Sequence, residues 1–112
     1  MVTFDNFLFF DNATAPDASK VKFNQKGSIL VLEVSGDAES MLLDVEARVD
    51  FESEEWTAIA GINMSDFTTT KDGITKKGIY QISIDGISYI RLNLKNVSGS
   101  VRAFGRIMAD II

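Results

Sequence analysis

Apolar and polar positions alternate with period two along most of this chain. From Met41 onward, Met41, Leu43, Val45, Ala47, Val49 and Phe51 fall on one side, with Leu42, Asp44, Glu46, Arg48 and Asp50 between them. Successive side chains of an extended chain point to opposite faces, so this run predicts a half-buried strand. Wound as a helix, the same residues would put Leu43, Glu46 and Ala47 together and lose the apolar stripe. The pattern returns in Trp56, Ala58, Ala60, Ile62 and Met64, which predicts one further strand after the acidic turn Glu52 to Glu55. Tyr80, Ile82 and Ile84 alternate with Gln81 and Ser83, and Ile90, Leu92 and Leu94 with Arg91, Asn93 and Lys95. Ser28 to Val34 is almost continuously apolar and rich in branched residues, as in a strand covered on both faces.

Turn signals separate these runs at short spacing: Lys26-Gly27, Ser35-Gly36, Asp72-Gly73, Asp85-Gly86 and Ser98-Gly99. Asp-Gly supplies the positive φ angles of tight hairpins, so the two Asp-Gly pairs are expected at hairpin tips. Asp11 to Ser19, with Ala15-Pro16-Asp17, reads as a loop after an N-terminal strand. The sum is an all-β fold, an antiparallel β-sandwich of jelly-roll or immunoglobulin-like type with about eight strands. Nothing in residues 1–112 marks an internal boundary, and a chain of 112 residues fits one sandwich domain.

Composition narrows the chemistry more than it widens it. Apolar residues form 46% of the chain, with one proline and eight glycines, which is a globular rather than a disordered profile. Cysteine and histidine are both absent. That removes disulfides, thiolate catalysis and cysteine-ligated metal, together with the commonest general base and transition-metal ligand. A formal net charge of −5 is the wrong sign for binding phosphate backbones, so nucleic acid is not an expected partner. No apolar run approaches the ~20 residues of a membrane helix, and no membrane partner is expected. The N-terminus lacks a charged, apolar and small-residue leader pattern, so synthesis and folding in the same compartment are expected.

Candidate sites are few. Asp50, Glu52, Glu54 and Glu55 form the densest carboxylate group, but at a turn, without the spacing of a calcium loop. No Gly-x-Ser-x-Gly elbow and no glycine-rich phosphate loop occur. No catalytic residue, metal ligand or cofactor is therefore expected, and the chain reads as a non-enzyme. Trp56 heads a strand, and Tyr89 lies outward with Arg91 if Ile90, Leu92 and Leu94 face inward; both are candidates for stacking on a glycan. The larger signal is surplus apolar surface. Phe4, Phe7, Leu8, Phe9 and Phe10 crowd the N-terminus on both parities, and the chain ends in Ile111-Ile112. Exposed apolar patches mark contacts, so Phe4, Phe7, Phe9, Ile111 and Ile112 are the expected anchors to another copy or another protein.

From Glu55 onward the chain resembles small virion-associated proteins of tailed bacteriophages. The matching stretches are Glu55-Trp56-Thr57-Ala58-Ile59-Ala60-Gly61, then Gly78 to Ile87, then Tyr89-Ile90-Arg91-Leu92-Asn93-Leu94, then Ser98 to Gly105. Their order is similar to that of head-fibre, decoration and tail-accessory β-sandwich modules, and the match covers about half the chain. The resemblance implies a structural subunit of a phage virion, made in the bacterial host cytoplasm, present in several copies and bound to other virion proteins. It brings no catalytic residues. The alternative is a carbohydrate-binding sandwich module whose partner is a glycan held by Trp56 and Tyr89.

Overall fold

The computed structural model describes residues 1–110. Ten strands follow one another: β1 (Val2–Ala13), β2 (Asp17–Ala18), β3 (Lys22–Phe23), β4 (Ile29–Ser35), β5 (Ser40–Arg48), β6 (Thr57–Ile59), β7 (Ile62–Asn63), β8 (Gly78–Ser83), β9 (Tyr89–Ser98) and β10 (Val101–Asp110). All pairings between these strands are antiparallel. Sheet 1 has the order β1-β10-β4-β8-β7, and sheet 2 the order β2-β9-β5-β6, with β3 also paired to β9. The all-β sandwich expected from the alternation is what forms.

The count exceeds eight because two expected segments divide. Asp17–Ala18 and Lys22–Phe23 pair with successive stretches of β9, so part of the expected loop is an interrupted edge strand. The run from Trp56 to Met64 does not form one strand. β6 lies in sheet 2 and β7 in sheet 1, and the chain crosses between them at Gly61. A Cβ at Gly61 would come within 2.5 Å of the Ile82 side chain and 2.7 Å of the Gln81 carbonyl, so the crossing passes where only glycine fits. The inward residue is then Ile59, while Ala58 and Ala60 are exposed, the reverse of the expected parity.

The core is assembled by the other period-two runs. Leu30, Leu32, Leu43, Ile82, Ile84, Ile90, Leu92, Leu94, Val101 and Ala103 have no exposed surface. Residues of like parity from facing sheets interdigitate, as in any sandwich. The Met41 run stays in register only to Ala47. β5 ends at Arg48, and Val49 and Phe51 are 63% and 73% exposed in the following loop. β4 is buried on one face only: Leu30, Leu32 and Val34 point inward, whereas Ile29 and Val31 are half-buried and Glu33 is exposed on the other face. β4 is flanked on both sides by β10 and β8, and that interior position accounts for its apolar character.

The connections mostly pass from one sheet to the other. Asp85-Gly86 is not a hairpin tip, because β8 belongs to sheet 1 and β9 to sheet 2. Gly86 has φ +82°, and the Ile87 amide donates to the Ile84 carbonyl at 3.0 Å, so the pair closes a turn inside an arch. Asp-Gly satisfies the positive-φ demand of either structure, and the local signal cannot distinguish them. Asp72-Gly73 likewise sits within the long β7–β8 connection, where Ile74 bridges to Leu43.

Candidate functional site

Sheet 2 exposes an outer face on which polar and aromatic side chains are bonded to one another. Along β9 the outward residues are Tyr89, Arg91 and Asn93, and along β5 they are Arg48, Glu46 and Asp44. The register sets Tyr89 opposite Arg48, Arg91 opposite Glu46 and Asn93 opposite Asp44. Glu46, 8% exposed, accepts from Arg91 Nε at 2.8 Å and from Asn93 Nδ2 at 3.3 Å. Lys95 Nζ reaches Asp44 at 2.8 Å, and that carboxylate raises the lysine above its ordinary value, through the hydrogen bond first and its charge second.

Above this network lies an aromatic group. Phe23 pairs with Tyr89 across β3 and β9, and their ring centroids stand 5.5 Å apart. Phe51, from the β5–β6 loop, returns to within 6.1 Å of Tyr89. The Arg48 guanidinium lies 5.1 Å from the Tyr89 centroid and 4.7 Å from that of Trp56, and Arg91 lies 4.5 Å from Trp56. Cation–π contacts of this kind hold both partners in fixed orientation. Arg48 also donates through Nη1 to the Ser53 carbonyl, which fixes the loop that carries Phe51. Its Nε is buried and has no hydrogen-bond partner among the described residues. Phe23 and Phe51 are the exposed members, at 54% and 73%.

Sheet 1 has the second notable surface. β1 is its edge strand, and from Val2 to Leu8 it runs in unbroken register against β10. Irregularities follow after Leu8 and after Phe10, and Asn12 takes φ +58°. On the outer face, Phe4 (59% exposed) and Leu8 lie beside Met108 and Phe104 of β10, and Ile79 of β8 is also exposed. Arg106 and Glu33 punctuate this apolar face, and Val31, Ile79 and Phe104 line a shallow depression between them.

These positions redistribute the residues singled out in the sequence. Trp56 and Tyr89 come together around Arg48, though they stand 33 positions apart in the sequence. The N-terminal phenylalanines do not act as one set. Phe4 is exposed, Phe7 packs partly against the core, and Phe9 is only 6% exposed, with Phe7 and Phe9 edge to face at 4.9 Å. The Phe9 side chain is thus part of the interior, Phe7 is half-buried, and of the three only Phe4 is exposed. The bulge after Leu8 explains why both Phe9 and Phe10 turn inward. Ile111 and Ile112 lie outside the described residues.

Asp50, Glu52, Glu54 and Glu55 are all exposed in the β5–β6 loop, where Asp50 accepts from the Glu52 amide at 2.9 Å. Among the described residues no group of three or more carboxylates is placed to hold a metal ion. One spacing was missed in the sequence: Ser19-Lys20-Val21-Lys22 has the Ser-x-x-Lys form of an acylating serine. The Ser19 hydroxyl donates to the Lys20 carbonyl and accepts from the Leu92 amide, both at 2.9 Å, while Lys22 is paired to Asp5 at 2.6 Å. The two side chains serve the β9 edge and the Asp5 ion pair, and are not bonded to each other. Phe23 and Phe51 were also missed, because neither stands out until β3 and the β5–β6 loop bring them to Tyr89.

Residues 3–107 match the XepA family model. No curated protein sequence matches the chain. The crystal structure of the SPBc2 prophage-derived protein YomS superposes with a TM-score of 0.85 at 23% identity, covering 97% of this chain and 96% of that one. The crystal structure of the PBSX exported protein XepA gives a TM-score of 0.85 at 20% identity, covering 96% of this chain but 38% of that one. The same sandwich is therefore nearly the whole of one neighbour and a part of the other.

Proposed function

The chain belongs to the XepA family, and on that premise we propose that it is a non-enzymatic structural component of a phage particle, acting through protein–protein contacts. Decoration, head-fibre and tail-accessory roles all fall within this reading. Localisation in the virion, after synthesis in the host cytoplasm, goes with it. The prophage origin of YomS supports a phage setting. The observation that carries the reading is the edge of sheet 1.

Seven residues of β1, Val2 to Leu8, run straight along an open edge with no proline and no bulge. A long regular edge strand is a template for adding another strand, and proteins that remain single normally interrupt it. Phe4 and Leu8 add exposed apolar surface beside that edge. Two copies joined edge to edge would pair β1 with β1 about a two-fold axis, a self-complementary contact that continues sheet 1 across the dimer. Thr3, Asp5 and Asn6 are the polar residues along the straight stretch, and Asp5, its one charged residue, is already paired with Lys22 at 2.6 Å. Other virion proteins would meet the remaining outer face, around Arg106 and Glu33.

The test is co-purification. Phage particles banded on a density gradient and washed in high salt should retain the chain in a fixed ratio to the major capsid protein. Its complete recovery in the unbanded soluble fraction would contradict the proposal.

A further inference from the structure

We propose that the outer face of sheet 2 carries a saccharide-binding site, a platform of Phe23, Tyr89 and Phe51 bordered by Trp56 and the Glu46–Arg91–Asn93 network. This goes beyond the assembly role, because it uses the opposite face of the sandwich. Three rings from three separate segments converge there, with Tyr89 central at 5.5 Å from Phe23 and 6.1 Å from Phe51. The outermost two are more than half exposed. The planes of Phe23 and Phe51 are inclined to that of Tyr89 by 46° and 49°, so the three rings offer adjoining apolar faces at an angle to the C–H faces of neighbouring sugar rings.

The border supplies the polar half of such a site. Glu46 is held by Arg91 and Asn93 with little freedom to move, and the partly exposed Arg91 and Asn93 present donors at its edge. Arg48 is fixed under the platform by Tyr89, Trp56 and the Ser53 carbonyl, so the rings are oriented before any ligand arrives. Preorganisation of this sort limits the ordering cost of binding.

The electrostatic setting selects the ligand. Asp50, Glu52, Glu54 and Glu55 lie on the loop that carries Phe51, the cations Arg48 and Arg91 are engaged by Trp56, Tyr89 and Glu46, and the whole chain carries −5. An anionic lipid surface or a phosphate-bearing polymer would be repelled from this end of the sandwich, whereas a neutral saccharide is not. Carboxylates also accept hydrogen bonds from sugar hydroxyls.

Trp56 is the sole tryptophan and stands at the border of the platform, which makes it a built-in reporter. The full chain would be titrated with neutral oligosaccharides of N-acetylglucosamine, glucose and mannose, and with vesicles of phosphatidylcholine and phosphatidylglycerol, while its fluorescence is followed. The expected result is a saturable change with at least one oligosaccharide and none with vesicles. Phe51→Ala and Phe23→Ala, both at exposed positions, should each weaken that binding about tenfold, while Phe4→Lys leaves it unchanged. Silence across all three sugars, a response to vesicles alone, or full binding by Phe51→Ala would each overturn the proposal.

Discussion

The Asp37 carboxylate accepts two hydrogen bonds from Ser100 through one oxygen, from the backbone amide at 2.8 Å and from the hydroxyl at 2.7 Å. Asp37 belongs to the β4–β5 connection and Ser100 to the β9–β10 connection, so the bond joins two arches that cross between the sheets side by side. Close backbone contact accompanies it. Gly99 (φ +103°) leaves no room for a Cβ against the Asp37 carbonyl and the Ala38 Cα, both 2.9 Å from where it would stand.

These bonds hold the Asp37 carboxyl below its ordinary value of 3.8, the Ser100 hydroxyl being the larger cause and its amide the next. A carboxylate with a depressed folded-state value adds stability above the unfolded value and loses it as pH falls through the folded one. Asp37→Ala should therefore be less stable than wild type at pH 7, with the gap closing below about pH 3.8. Urea midpoints of both proteins from pH 7 to pH 2 check this. A gap that persists undiminished at pH 2 would assign the effect to something other than the charge.

Asn24 performs a comparable task at the other end of the sandwich, and it does so buried. Its Nδ2 donates to the carbonyls of Gly27 at 3.1 Å and Ile87 at 2.9 Å, and its Oδ1 accepts from the Gly27 amide at 2.8 Å. Asn24→Ala leaves these backbone groups without partners and should cost about 2–3 kcal/mol in urea unfolding. Asn24→Asp should cost more, since it replaces a donor facing three carbonyl oxygens, those of Gly27, Ile84 and Ile87, with an acceptor. Equal stability of Asn24→Asp and wild type would contradict this assignment.

Among the described residues, Phe67 is the one large apolar residue in the left-handed region, at φ +60°, and its side chain is 73% exposed. The turn that holds it is fixed by neighbours: Asn63 accepts from Ser65, and Asp66 accepts from the Thr68 amide and hydroxyl. A ring that gains little burial while its backbone is strained should be replaceable. Phe67→Asn is expected to match wild type or exceed it by up to about 1 kcal/mol, since asparagine tolerates this region. A thermal melt that falls by several degrees would show that the ring makes a stabilising contact.

Much of the fold was legible in the sequence because strand alternation is a local signal. Tyr80, Ile82, Ile90, Leu92 and Leu94 point inward as their parity requires. What escaped was decided by geometry between strands. The parity of Ile59 depends on where the chain leaves sheet 2 for sheet 1. The inward turn of both Phe9 and Phe10 depends on a bulge, and bulges have no consistent composition. The same holds for the candidate site. Trp56 and Tyr89 could be singled out by residue type, but Phe23, Phe51 and the buried Glu46 join them only through the β3–β9 and β5–β9 registers.

If the open β1 edge joins this chain to its partners, the solution mass reports it most directly. Light scattering across a dilution series should give a stable multiple of 12.3 kDa for the wild-type chain. Phe4→Lys with Leu8→Lys, at exposed positions beside the edge, should return the mass to 12.3 kDa without loss of folded structure. A wild-type mass of 12.3 kDa at every concentration would contradict assembly through β1.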